Sequence, residues 1–459
     1  MGSEITYRKL KDCAVWYSGG TPRKSNAEYW NGTIPWISAK SLHDTFICDS
    51  EDKVTELGAQ NGTRTVPEGT ILFVVRGMSL KNEFRVGLTT DTVTFNQDLK
   101  ALLPVEGIDS HYLLYFLKSK AKDILSLVEE AGHGTGVLPT AVLQELDVPV
   151  PPLQQQKLVA KVILNFDEKI KINRQINQTL ETMAQTLFKS WFVDYDPVID
   201  NALDTGSSIP EVFEARVERR KAVRESADFK PLPDDVRQLF PSEFEESELG
   251  WVPKGWGTCA VKSHCVRVQN GGTPKRSEAS YWENGNIPWL TSGEVRQTIV
   301  TEVSSVITQK GLEESSAKWV EKLSTLVALY GATAGEVSIN ADKLTTNQAV
   351  CALMPQEFYC WFNYLQVKRK TSEMQSKAVG SAQQNISKGL VESLVVVSPT
   401  HAAVKCFHDI AEGCFKRMIK NQHESRTLEK LRDTLLPKLI SGELRLDSSE
   451  VEQAKALVD

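Results

Sequence analysis

The sequence has no run of about 18 consecutive apolar residues, so nothing in it reads as a membrane-spanning helix. Its first residues, MGSEITYRKL, lack the apolar core of a secretory leader. None of the eight cysteines forms a CxxC pair, and none joins the seven histidines at zinc-binding spacing. A reduced, cytoplasmic protein with no membrane contact and no metal is the expectation. Enzyme signatures are missing too. There is no Walker A sequence, no GxSxG elbow, no HExxH and no NPPY-type tetrapeptide of an amino-methyltransferase. The fragment GHGTGV at 132–137 follows no clear strand and is a poor match to a cofactor loop. The formal net charge of −6 argues against a uniformly basic nucleic-acid binder but leaves room for local basic patches.

What the sequence has is a repeat. SGGTPRKSNAEYWNGTIPWISAKSL begins at Ser18, and NGGTPKRSEASYWENGNIPWLTSGEV begins at Asn270. Four later phrases follow in the same order: ILFVVRG with TLVALYG, TFNQDLKALLP with TTNQAVCALMP, LQELDVPVPP with LVESLVVVSP, and TLE at 179–181 with TLE at 427–429. The offsets drift only between 247 and 254 residues. One chance match means little, but an ordered series means duplication.

Each copy is followed by a helical pattern. The first runs over 153–192 with Val159, Val162, Phe166, Ile170, Ile176, Leu180, Met183 and Leu187 as seam residues. The second runs over 401–439 with Val404, Phe407, Ala411, Cys414, Met418, Leu428, Leu435 and Leu439. Alternating three- and four-residue steps fit a coiled-coil seam. Asn173 and Asn421 align, and a polar residue in such a seam can fix register. A helix of about 40 residues spans about 60 Å and needs a partner along its length. The other repeat supplies one, so an antiparallel pair with pseudo-twofold character is expected. Short β-like runs and helical patterns alternate inside each globe. The expected fold is therefore α+β: two pseudo-symmetric globes separated by two long helices. Expected boundaries are 1–152, first globe; 153–195, first helix; 196–250, connector; 251–399, second globe; 400–445, second helix; and 446–459, tail.

The whole chain resembles the specificity subunit of type I restriction–modification systems. The residues that carry the likeness are GGTP with YW and IPW, the NQ before a strand, PPLQQQ at 151–156, LFKSWFVDYDPV at 187–198, LFPSEFEESELGWVPKGW at 239–256 and LLPKLISGELRL at 435–446. The resemblance implies a non-catalytic DNA-recognition subunit with no cofactor of its own. Each globe would be a target-recognition domain reading one half of a split site in double-stranded DNA. The coiled coil would set their spacing and dock two methyltransferase subunits. Those partners use S-adenosylmethionine, and restriction and translocase subunits join them. Two rival readings are a fused methyltransferase or nuclease and a protein-binding scaffold with no DNA role. The charge balance suits shared binding: residues 1–150 carry 15 Lys+Arg against 19 Asp+Glu, and 251–400 carry 15 against 12. Neither globe could grip the duplex by bulk charge, so partners would supply part of the phosphate clamp.

The repeat also sorts the candidate contacts. Residues shared by two readers of different half-sites should build the frame or hold phosphates, and residues that differ should read bases. Gly19-Gly20 and Gly271-Gly272 are expected as turn formers, and Trp36 and Trp289 as core. Arg23, Lys24, Lys275 and Arg276 keep charge while exchanging type, which suits phosphate contacts. The base-reading candidates are Ser38, Lys40, Arg76, Ser79 and Lys81 in the first globe. In the second they are Thr291, Ser292, Tyr330, Thr333, Gln383, Gln384 and Asn385. Asn96-Gln97 and Asn347-Gln348 could meet adenine edges, or could instead hydrogen-bond the backbone of a turn.

Overall fold

The computed structural model describes residues 5–131, 135–378 and 385–458. The chain divides into two compact units, one of Met1–Ile172 with Ser425–Asp459 and one of Asn173–Glu424. The division falls inside the two long helices, Leu153–Phe192 and His401–Ser441, rather than at their ends. Each unit therefore holds one globe and a portion of both helices.

The two larger sheets of each globe repeat strand for strand. The first globe has a five-stranded sheet in the order Ala14–Ser18, Leu99–Pro104, Ile71–Val74, Val86–Thr89, Phe46–Ile47. Its four-stranded sheet runs Lys53–Val54, Trp30–Ile37, Val93–Phe95, Arg64–Val66. The second globe has Cys265–Asn270, Val350–Pro355, Thr325–Ala328, Val337–Asn340 and Ile299–Val300 in one sheet. Its other sheet runs Ser305–Ile307, Ile287–Leu290, Leu344–Thr346, Trp319–Val320. The register repeats as well. Trp36 pairs with Thr94, and Trp289 with Thr345, each across a parallel ladder in an otherwise antiparallel sheet. The continuous apolar runs Ile71–Val74 and Thr325–Ala328 are buried throughout, as expected of strands covered on both faces.

The shared phrases build this frame. The indole N–H of Trp36 donates to the Gly20 carbonyl at 3.1 Å, and that of Trp289 to Gly272 at 2.9 Å. Trp30 and Trp36 meet edge to face at 5.2 Å between centroids, and Trp282 and Trp289 at 5.0 Å, the favoured aromatic geometry. The double glycines do not form turns with positive φ, contrary to the sequence expectation. They are required by close approach. A Cβ on Gly271 would lie 2.0 Å from the Thr346 carbonyl oxygen, and one on Gly19 would lie 2.3 Å from that of Asn96.

The helix portions pack into the globe cores. In the first unit Val159, Ile163, Phe166 and Ile170 share one buried cluster with Leu428, Leu435 and Leu439 and with the globe's Leu113 and Phe116. In the second unit Phe188, Trp191 and Phe192 share a cluster with Val404, Phe407, Phe415 and Met418. The pairing is antiparallel. The Asn173 amide donates to the Glu424 carboxylate at 3.0 Å, and that of Asn177 to the Met418 carbonyl at 3.1 Å. Asn421 donates to Asn177 at 2.9 Å, so both aligned asparagines are buried and bonded across the seam. Met183 departs from the seam expected of it and is 56% exposed, and Cys414 is only partly covered.

These contacts separate two kinds of glycine. Gly271→Ala must displace backbone and should cost about 2–3 kcal/mol, read as a lowered urea midpoint for the second unit. Gly413 lies exposed in the second long helix with nothing near its Cβ position. Gly413→Ala should instead raise stability by about 0.5–1 kcal/mol.

Candidate nucleic-acid interface

In each globe the segments that differ between the repeats converge. In the first, the strand Arg76–Gly77 pairs with Thr135–Val137, which pairs in turn with Glu129–Ala131. Arg76 lies opposite Val137 in this small sheet, and the Leu138 amide donates to the Val75 carbonyl at 2.9 Å. In the second globe Tyr330 bridges Asn385, and the Ile386 amide donates to the Leu329 carbonyl at 2.8 Å. The same backbone junction thus carries arginine in one globe and tyrosine in the other. The loop at 38–41 reaches this region through Arg85, which donates to the Ala39 carbonyl at 3.2 Å. The turn Ser292–Glu294 likewise lies against the turn Gly331–Thr333.

Local chemistry decides which side chains of these segments face outward. Ser38 and Ser41 cap each other reciprocally, with the Ser38 amide donating to Ser41 Oγ at 2.9 Å. Thr291 and Glu294 form a capping box at the equivalent place, with the Thr291 hydroxyl donating to the carboxylate at 2.8 Å. Burial alone would raise the Glu294 pKa. The amides and hydroxyls of Thr291 and Ser304 outweigh it and hold the carboxyl below its ordinary range. Ser38 and Thr291 therefore shape their loops, while Lys40 is exposed and Ser292 partly so. Arg76 and Lys81 are exposed, with Lys81 3.7 Å from the Glu130 carboxylate, and Ser79 is partly covered. Tyr330 is 41% exposed and Asn385 is exposed; Gln383 and Gln384 lie outside the described residues.

Several of the expected contact residues also make hydrogen bonds within the frame. Asn96 is buried, accepting from the Asp98 amide at 3.1 Å and donating to the Asp98 carboxylate at 3.2 Å. Asn347 accepts from the Ala349 amide at 3.1 Å in the same turn of the second globe. Both take the turn-forming route that asparagine favours. Gln97 takes the Thr21 hydroxyl at 2.6 Å, and Gln348 takes that of Thr273, so the NQ pairs lock onto the GGTP loops. Thr333 is buried, 4% exposed.

The four expected phosphate residues, Arg23, Lys24, Lys275 and Arg276, are all exposed. Arg276 lies over the Trp282 ring at 3.8 Å and within 4.7 Å of Trp289, which orients its guanidinium. One cationic pair escaped the sequence reading. Arg64 opens the edge strand Arg64–Val66 and Lys318 immediately precedes the matching edge strand Trp319–Val320, and both are exposed. Arg64 lies over the Tyr17 ring at 5.2 Å. The shared charge at the repeat offset was the available signal.

The Cys259–His264 pair is not set up as a nucleophile and its base. Cys259 Sγ lies 3.3 Å from His264 Nε2, but burial pushes the thiol up and the imidazole down to about 4, the reverse of a thiolate–imidazolium pair. Among the described residues no group of His, Cys, Asp and Glu is arranged to hold a metal ion.

Comparison with known proteins agrees with this geometry. The family model described as the type I restriction modification DNA specificity domain matches residues 2–182 and 253–401, one match on each repeat. The chain is 25% identical over 450 residues to the type I restriction enzyme MjaIX specificity subunit of Methanocaldococcus jannaschii, covering 96% of this chain and 93% of that one. It is 28% identical over 353 residues to the HindI specificity subunit of Haemophilus influenzae, covering 72% and 76%. The crystal structure of a type I restriction-modification S subunit from M. genitalium shares the fold, with a TM-score of 0.54 at 15% identity and 96% of both chains covered. The chain belongs to the type I restriction–modification DNA specificity family.

Proposed function

We propose that this chain is the sequence-reading subunit of a type I restriction–modification complex, contributing recognition and no catalysis. Each globe reads one half of a bipartite site in duplex DNA. The helix pair sets the separation of the half-sites and docks two methyltransferase subunits that use S-adenosylmethionine; restriction and translocase subunits join through the complex. The observation that carries this reading is the junction found twice: one frame, with Arg76 opposite Val137 in the first globe and Tyr330 opposite Asn385 in the second. Identical frames with different outward side chains are what two readers of unlike sequences need.

In this reading Arg76 and Lys81 approach guanine O6 and N7, and Tyr330 and Asn385 serve the other half-site. Lys40, Ser79 and Ser292 flank them, and Arg23, Lys24, Lys275, Arg276, Arg64 and Lys318 meet phosphates. Partner docking is supported by a groove of about 700 Å³ in the second unit, lined by Met183, Leu187, Ile410 and Cys414. Met183 is 56% and Ile410 47% exposed, unusual for apolar residues set side by side on paired helices. Among the described residues no helix is long and apolar enough to cross a membrane.

Selection of bound duplexes from a random pool by the assembled complex tests the reading. Arg76→Ala should relax one position of one half-site by about 1–3 kcal/mol, and Tyr330→Ala should affect only the other. If either variant altered both half-sites, or neither, the assignment of readers would be wrong. Met183→Asp combined with Ile410→Asp should abolish co-purification with the methyltransferase subunit while leaving the circular dichroism of this chain unchanged. Continued assembly would place the docking surface elsewhere.

A further inference from the structure

A cluster of charge recurs where each globe meets its helices. In the first unit the Lys118 ammonium donates to Thr45 Oγ1 at 2.6 Å and lies 3.8 Å from the Asp167 carboxylate. Asp167, whose side chain is 9% exposed, also takes the Tyr115 hydroxyl at 2.9 Å and the Arg432 guanidinium at 2.6 Å. In the second unit Lys368 donates to Glu181 at 2.7 Å and to the Tyr364 hydroxyl at 2.8 Å. The Thr298 hydroxyl donates to the other Glu181 oxygen at 3.1 Å.

The lysines and threonines obey the repeat. Lys118 and Lys368 occupy the same place, next to last, in the helices Ser110–Ser119 and Cys360–Arg369. Thr45 and Thr298 each precede the short edge strand of the five-stranded sheet, Phe46–Ile47 or Ile299–Val300. The carboxylates do not obey it. Asp167 and Glu181 are both on Leu153–Phe192. The first globe therefore takes its carboxylate from the helix that continues its own repeat, whereas the second takes it from the helix of the other repeat.

A paired charge of this kind adds little net stability over apolar side chains of the same shape, because desolvation offsets attraction. What it adds is geometry. The Glu181 side chain is 13% exposed, and it takes one ammonium on one oxygen and one hydroxyl on the other. Sliding or rocking of the globe breaks both bonds at once and leaves a half-buried charge unpaired. Burial works against the Lys368 charge, yet Tyr364 and Glu181 hold its pKa above the ordinary lysine value, so Lys368 stays charged near neutrality.

We propose that Glu181 is a positioning residue. With Lys368 it fixes the angle at which the second globe sits on the helix portions of its unit, and so fixes the length of spacer DNA accepted between the half-sites. This rests on the bipartite-reader function above. Each added base pair moves a half-site by about 3.4 Å along the duplex and about 35° around it, so a globe free to rock would accept neighbouring lengths.

The test uses the assembled complex, with duplexes carrying both half-sites at a series of spacer lengths. The wild type is expected to select one length. Glu181→Gln and Lys368→Met should each lower discrimination against spacers one base pair longer or shorter by about three- to tenfold, with the preferred half-site bases unchanged. The charge exchange, Glu181→Lys with Lys368→Glu, should restore selectivity, which a merely destabilising change would not. Single variants as strict as the wild type overturn the proposal. So does a charge-exchanged chain that melts with the wild type yet stays relaxed. A wild-type complex that selects no split site at all would instead remove the reading on which the proposal rests.

Discussion

The structure depends on the inability of a 40-residue amphipathic helix to cover its own apolar stripe. Each fully buried Phe, Leu or Trp along it contributes about 1.5–3 kcal/mol once removed from water, and nothing within a single helix can provide that cover. Both long helices solve the problem in the same two ways. They lie antiparallel to each other, and their stripes continue into the globe cores. The result is clearest in the second unit, where Trp361 stacks on Phe415 at 4.1 Å with ring planes 2° apart, and Phe188, Phe192, Phe362 and Phe407 meet one another at 5.0–5.7 Å. Globe and helix share one core in each unit, so neither is a free-standing module joined by a neutral linker. A recognition domain whose core includes part of a helix is held on that helix by packing, and polar contacts are left to set its exact angle.

Against that background the polar contacts have a narrower task. Asn173, Asn177 and Asn421 bond across the seam, where an apolar residue would pack at least as well but would not specify which turn faces which. A slide by one turn would break these bonds at two buried amides, Asn173 and Asn421, and each left without a partner would cost about 1–3 kcal/mol. The apolar stripe holds the helices together; the asparagines select one register among those the stripe alone would tolerate.

The duplication made much of this legible. The α+β class, the two long helices, the burial of Trp36 and Trp289 and the place of the aligned Asn173 and Asn421 in the seam follow from the ordered repeat and the seam spacing. The candidate interface was legible in part. Comparing two copies identifies which segments differ, and the segments at 76–81 and 330–333, with those around 137 and 385, do meet in space. Which side chains within them face outward is a different question. Ser38 and Thr291 sit in divergent segments yet shape their own loops, and Thr333 is buried, because a short loop must first satisfy its own backbone. Asn96 was ambiguous for the same reason: asparagine before a strand suits a turn as well as a base edge. The strand at Thr135–Val137 pairs with residues about sixty positions earlier, and no local period announces such a partner.

The most basic-looking stretch of the sequence, EARVERRKAVRES in the connector, shows how charge can mislead. The helix Glu214–Arg224 has no buried residue and lies along Asp196–Thr205. Arg220 grips the Asp200 carboxylate with two nitrogens, at 2.8 and 2.5 Å. Arg219 reaches Asp194 and Asp196, and Arg224 and Arg237 both reach Asp204. Bidentate pairing of this kind orders a helix that cannot hold itself by burial. These guanidinium groups are therefore engaged within the chain and are poor candidates for phosphates. The cations left to face a duplex are the scattered, exposed ones of the globes, such as Arg23, Arg64, Lys275 and Lys318. A few such contacts would select position and register without the affinity of a continuous basic surface.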